Sequence, residues 1–109
     1  MNLYNLDQKR VGEWADKVFG DREKFPDRDI LLHLIEEVGE LIRDPASGEE
    51  MADIVLVIMH LAHRKGVDLS LEIIAKFDLC ERSKWYFDDK FGRMRRVKGP
   101  HLSTDGEPA

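Results

Sequence analysis

The 109-residue sequence predicts an all-α protein, a four-helix bundle that assembles as a homodimer or homotetramer. Three observations predict it. Apolar residues recur at three- and four-residue intervals in four successive stretches. Pro26 and Pro45 lie between those stretches, and the other prolines follow the last. The helical apolar surface is also large for so short a chain, so part of it needs a partner copy to cover it.

The first helix is expected from Asp7 to Phe19, with Val11, Trp14, Ala15 and Val18 on one face and Gly20 as its stop. A loop holding Pro26 follows. The second runs from Asp27 to Arg43, with Asp27 or Asp29 as the cap. Its residues Ile30, Leu31, Leu34, Ile35, Val38, Leu41 and Ile42 fill one broad arc. The DPASG turn, Asp44 to Gly48, ends it. The third runs from Glu49 to Lys65. Its β-branched run from Ile54 to Met59 has the composition of a buried strand. The apolar pattern continues to Leu61 and Ala62, however, too long for a typical strand, and Gly66 supplies a stop. A helix apolar nearly all round belongs at the centre. The fourth begins near Asp68 or Ser70, carries Leu71, Ile74, Phe77, Leu79 and Cys80, and is expected to reach Phe91. One domain over residues 1–98 is expected, with a mobile tail from Gly99.

Composition narrows the class. Hydrophobic residues make up 42% and charged residues 36%, which suits a charge-rich folded protein. No apolar run is long enough to span a bilayer, and the N-terminal stretch has no apolar signal segment. Cys80 is the only cysteine, which excludes an intrachain disulfide. These features point to the cytoplasm. The net charge of −5 is uneven: residues 1–60 carry 14 acids against 7 Lys/Arg, and residues 61–109 carry 8 against 10. That pattern reads either as ordinary solvated helix faces or as a cation-binding half beside an anion-binding half.

Chemistry concentrates in two acidic groups on neighbouring helices. Glu36, Glu37 and Glu40 share an arc of about 100° opposite the leucine face of the second helix. Glu50 and Asp53, three apart, share a face of the third. A five-residue turn makes the two helices antiparallel neighbours, bringing Glu40 and Glu50 to one end and Glu37 and Asp53 one turn deeper. Carboxylates crowded beside apolar faces take up protons or bind a cation. Oxygen-only ligands favour Mg2+ or Mn2+, while the histidines lack the ligand spacing of a zinc site.

The segments HLIEEVGELI and EEMADIVLVIMHLAHRKGVDL resemble the MazG-type all-α NTP pyrophosphatase superfamily, whose signature is EExxE, a spacer, then ExxD. Here those motifs are Glu36-Glu37-Val38-Gly39-Glu40 and Glu50-Met51-Ala52-Asp53, and the likeness runs from Val11 to Trp85. The resemblance implies a MazG-type bundle, homo-oligomeric, that hydrolyses nucleoside or deoxynucleoside triphosphates to the monophosphate and pyrophosphate. It implies Glu37, Glu40, Glu50 and Asp53 as ligands of Mg2+, with Mn2+ as a substitute. Glu36 would stand behind the ligands or help orient the attacking water. Family members place a lysine and an asparagine one turn apart on the fourth helix; Lys76 matches the lysine, but Cys80 stands where the asparagine is usual, and a thiol cannot make the amide's hydrogen bonds. The spacer is short for the family.

Further candidates follow from that reading. Lys76, then Arg82, Lys84 and Arg64, are expected to hold outer phosphates. Trp14 and Trp85 are candidate base-stacking rings, set against a plain core or interface role. His33 shares the arc of the three glutamates and is a candidate metal or phosphate contact. His60, beyond Asp53, is a candidate substrate contact, and His63 reads as structural. The basic stretch Lys90 to Lys98 reads as a phosphate-gripping flap, a nucleic-acid contact or a solvated helix end. Two other classes stay open: a non-enzymatic helical interaction module and a nucleic-acid-binding module, the latter disfavoured by the acidic overall charge. Phosphoribosyl-ATP hydrolysis fits the motifs less well.

Overall fold

The computed structural model of the chain describes residues 5–98, so the tail expected from Gly99 lies outside the described residues. The four expected helices are present: α1 (Gln8–Phe19), α2 (Asp27–Arg43), α3 (Gly48–Lys65) and α4 (Leu69–Arg82), followed by strands β1 (Trp85–Asp88) and β2 (Arg93–Arg96). The chain divides into two compact units at Leu69/Ser70. Among the described residues, no helix is long and apolar enough to cross a membrane.

Local chemistry sets most of the boundaries. Asp7 caps α1, its carboxylate accepting from the Arg10 amide at 2.8 Å. Ser47 caps α3, its hydroxyl accepting from the Glu50 amide at 3.1 Å. Gly66 closes α3 in the left-handed region (φ 68°), and the Val67 amide reaches back to the Ala62 carbonyl at 2.9 Å. The cap expected of Asp27 or Asp29 on α2 is not made. Pro26 occupies that position without a side-chain bond, and Asp27 bonds Lys65 instead, at 3.0 Å.

The first unit is built on α3, which packs against both α1 and α2. Its core holds Val11 and Ala15 of α1, Ile30 of α2, and Val57, Met59 and Ala62 of α3. Gly12 permits the close approach of α1 to α3: a Cβ there would lie 2.2 Å from Cγ of His63. The broad apolar arc of α2 is only partly used. Ile30 is buried, but Ile35 and Ile42 are 66% and 73% exposed.

A buried polar network ties the same helices together. Asp16 accepts from His60 Nε2 at 2.8 Å and from Arg64 Nε at 2.9 Å. Arg64 also donates to the carbonyls of Gly20, at 2.9 Å, and Phe25. Burial pushes the Asp16 carboxyl up, but the bonds from His60 and Arg64 outweigh it and hold the group below its usual range. Arg64, expected as a phosphate partner, is instead committed to this network and buried.

In the second unit α4 ends at Arg82 and does not reach Phe91. Ser83 turns the chain back on α4, its hydroxyl donating to the Leu79 carbonyl. The aromatic run Trp85-Tyr86-Phe87 then favours an extended backbone. The two strands pair antiparallel, Trp85 opposite Arg96 and Asp88 opposite Arg93, across a turn containing Gly92 at φ 63°. The basic stretch Lys90 to Lys98 is thus turn and second strand, not a helix end.

Candidate functional site

Glu37 and Glu40 project from α2 one turn apart, and Glu50 enters from the first turn of α3. One carboxylate oxygen from each lies within 4.8 Å of the others. The short connection between the helices makes this meeting possible: Asp44 closes α2 by donating to the Glu40 carbonyl at 3.1 Å, and Ser47 starts α3 three residues before Glu50. Among the described residues, the bonded basic neighbour of this group is His33, whose Nε2 lies 3.2 Å from Glu37 Oε1. A hydrogen bond shared with Glu40, then burial, then the Glu37 carboxylate push Glu50 up to about 7. Oε2 of Glu37 and Oε2 of Glu50 are buried and have no hydrogen-bond partner among the described residues. Oxygen-only donors with unpaired buried lone pairs suit a hard divalent cation.

Helical geometry explains which glutamate is left out. Viewed down α2, Glu40 lies between Glu36 and Glu37, about 40° from the former and 60° from the latter. Helix α3 lies on the Glu37 side, so Glu36 is exposed outside the triad, lining a groove with Phe25, Asp29 and Leu32. Asp53, one turn along α3 from Glu50 and half-buried, also falls outside the triad. It adjoins the triad through Glu37, with which it forms the acidic edge of a cavity of about 210 Å³.

The rest of that cavity is apolar and aromatic: Val11, Trp14, Ala15 and Phe19 of α1, and Leu56 and Val57 of α3, with His33 and His60. Phe19 anchors the aromatic wall, meeting Trp14 edge-on at 5.9 Å, Phe25 stacked at 5.4 Å and His33 edge-on at 5.6 Å. Trp14 keeps 54% of its surface exposed at the cavity mouth. His60 presents its ring to the cavity while Nε2 is held by Asp16, and Phe25 lies parallel to it at 6.3 Å. His33 Nε2 donates to Glu37 Oε1 at 3.2 Å. His63 packs against Gly12, in the structural part expected of it.

The candidates beyond Leu69 belong to the second unit. Lys76, Cys80, Trp85, Tyr86 and residues 93–98 of the hairpin line a groove of about 500 Å³. The Trp85 indole N–H donates to the Cys80 carbonyl at 3.0 Å. Arg82 pairs with Asp78 at 2.9 Å, and Lys84 is exposed, its carbonyl accepting from the Val97 amide at 3.0 Å.

Sequence reasoning missed the roles of Asp16, Phe19 and Phe25. The signal for Asp16 was present: His60 and Arg64 stand four apart, on one face of a helix otherwise apolar there, and need an acid from a neighbour. Phe19 and Phe25 carry no comparable pattern.

No family model matches the chain. It is 34% identical over 94 residues to a dATP/dGTP diphosphohydrolase of Cyanophage S-2L, an alignment spanning 84% of this chain and 86% of that protein. It is 33% identical over 84 residues to a dATP/dGTP diphosphohydrolase of Salmonella phage PMBT28, covering 72% of this chain but 26% of that longer protein. Among solved structures it is similar to the Cyanophage S-2L MazG-like pyrophosphohydrolase bound to dGDP and three catalytic Mn2+ ions per active site. The TM-score is 0.64 at 29% identity, over 84% of this chain and 89% of that one.

Proposed function

Because this chain belongs to the MazG-like NTP pyrophosphohydrolase superfamily, we propose that it hydrolyses deoxynucleoside triphosphates to the monophosphate and pyrophosphate. The substrates to test first are dATP and dGTP, for which the relatives are named. One observation carries this reading: three carboxylates within 4.8 Å, two with buried unpartnered oxygens, beside a cavity walled by aromatic rings.

Glu37, Glu40 and Glu50, with Asp53 at the cavity edge, are the residues that would hold Mg2+, with Mn2+ as a substitute. When bound, such an ion offsets charge on phosphate oxygens and lowers the pKa of an attacking water. The chain's own part is positioning. Trp14, Phe19 and Val57 line an apolar slot for the base. Glu37 and Asp53 meet that slot at its polar edge, where the phosphates would lie. Glu36, outside the triad, is left the role of orienting water and not that of a ligand. Lys76, Arg82 and Lys84 are proposed partners for phosphate oxygens. His60 serves the pocket through its ring, its Nε2 being held by Asp16. The exposed apolar surface of α2 supports a homo-oligomer, dimer or tetramer. Control of a nucleotide pool and removal of unwanted nucleotides both suit this reaction.

A panel of NTPs and dNTPs with Mg2+ or Mn2+, assayed for pyrophosphate release, tests the proposal. Glu40→Gln and Asp53→Asn are expected to abolish turnover while circular dichroism stays helical. Full activity in both variants would remove the site assignment.

A further inference from the structure

His33 lies one helical turn before Glu37 on α2 and is bonded to it. Oε1 of Glu37 is taken by His33 Nε2 at 3.2 Å, and Oε2 is buried without a partner among the described residues. The Glu37 side chain is 12% exposed and that of His33 29%, so neither is a freely turning surface group. An ionised carboxylate only accepts hydrogen bonds, so the ring nitrogen is the donor. The ring in turn is braced by the edge of Phe19 at 5.6 Å, and the four-residue spacing on α2 keeps imidazole and carboxylate on one face. Each oxygen of Glu37 therefore has a separate task.

We propose that His33 is a positioning residue: its N–H occupies one oxygen of Glu37 and so presents the other to a divalent cation. This rests on the metal-site reading above and adds a residue that contacts neither the ion nor the phosphates. Without the donor, Glu37 would be free to rotate or to share both oxygens, and the triad would lose its fixed member. Outer partners of this kind are worth about 10–100-fold in metal affinity.

Mn2+ binding to the nucleotide-free full chain, followed by the electron paramagnetic resonance of free Mn2+, tests this directly. His33→Phe keeps a ring against Phe19 but has no donor, and should weaken Mn2+ binding about tenfold or more. His33→Gln keeps an N–H within reach of Glu37 and should restore binding to near the wild-type value. His33→Asn, whose amide falls short of Glu37, should behave like His33→Phe and replaces it if the latter does not fold. The proposal is overturned if the donor-less variant binds Mn2+ as wild type does, or if His33→Gln loses as much as His33→Phe. It is also overturned if His33→Phe raises only the nucleotide KM at saturating Mn2+, which would make His33 a substrate contact. The underlying site reading fails separately: Mn2+ binding by the wild type would then be indifferent to Glu37→Gln as well.

Discussion

On the proposed metal site, the crowding of Glu50 would make metal binding a proton-coupled event. Its carboxyl stands at about 7, against an ordinary 4.5, because it shares a hydrogen bond with Glu40, is partly desolvated, and faces Glu37. A carboxylate must lose its proton to ligate a cation, so the ion competes with H+. For one group titrating near 7, the apparent affinity falls by about elevenfold at pH 6, about twofold at pH 7 and hardly at all at pH 8. Proton release per site should run from about 0.9 at pH 6 to about 0.1 at pH 8. The sign for stability runs with it. A carboxyl raised on folding contributes stability that is full below about 4.5 and lost as pH rises through about 7, so the metal-free fold weakens over that window. Calorimetric titration with Mn2+ at pH 6, 7 and 8, in buffers of different ionisation heat, reads both affinity and protons. Glu50→Gln should flatten the pH dependence of metal-free stability. Equal Mn2+ affinity at pH 6 and pH 8, with no proton release, would refute the coupling.

Three further outcomes are expected. Gly12→Ala forces a methyl onto the His63 ring and should cost about 1–3 kcal/mol in urea unfolding, with His63→Ala in the same background recovering part of the loss. Asp16→Ala leaves the buried Arg64 with Asp27, at 3.5 Å, as its remaining carboxylate and should cost about 1–2 kcal/mol, less than a fully buried pair because Asp16 is one-third exposed; unchanged urea midpoints would contradict both of these. Trp14→Ala should raise the nucleotide KM about tenfold through lost stacking while leaving Mn2+ binding alone, and an unchanged KM would remove Trp14 from the pocket.

Apolar periodicity made α1, α2 and α3 readable to within a residue; Asp7 and Gly20 bound α1, Ser47 and Gly66 bound α3, and α2 runs from Pro26 to the turn at Asp44. The hairpin was not readable. Phe87 and Phe91 prolong the helical pattern of α4, and only the aromatic run after Ser83 marks the switch to strand. For the acids, spacing placed Glu37, Glu40 and Glu50 on facing surfaces. It could not separate Glu36 from them, since a 40° difference around α2 matters only once the side occupied by α3 is known. Arg64 was misjudged for a similar reason. Its last-turn position reads as solvent-facing until Asp16, Gly20 and Phe25 are seen to surround its guanidinium.

The brevity of the link between Asp44 and Ser47 has a kinetic consequence. Glu37, Glu40 and Glu50 all come from one short stretch of sequence, so the helical hairpin that gathers them closes a small loop and is among the quickest parts of the chain to form. Asp16, whose partners lie more than forty residues away, must wait for a distant segment. The carboxylate triad is thus a product of local sequence, whereas the Asp16 network depends on distant contacts. An ion captured by the hairpin would slow its amide exchange even while α1 is still detached.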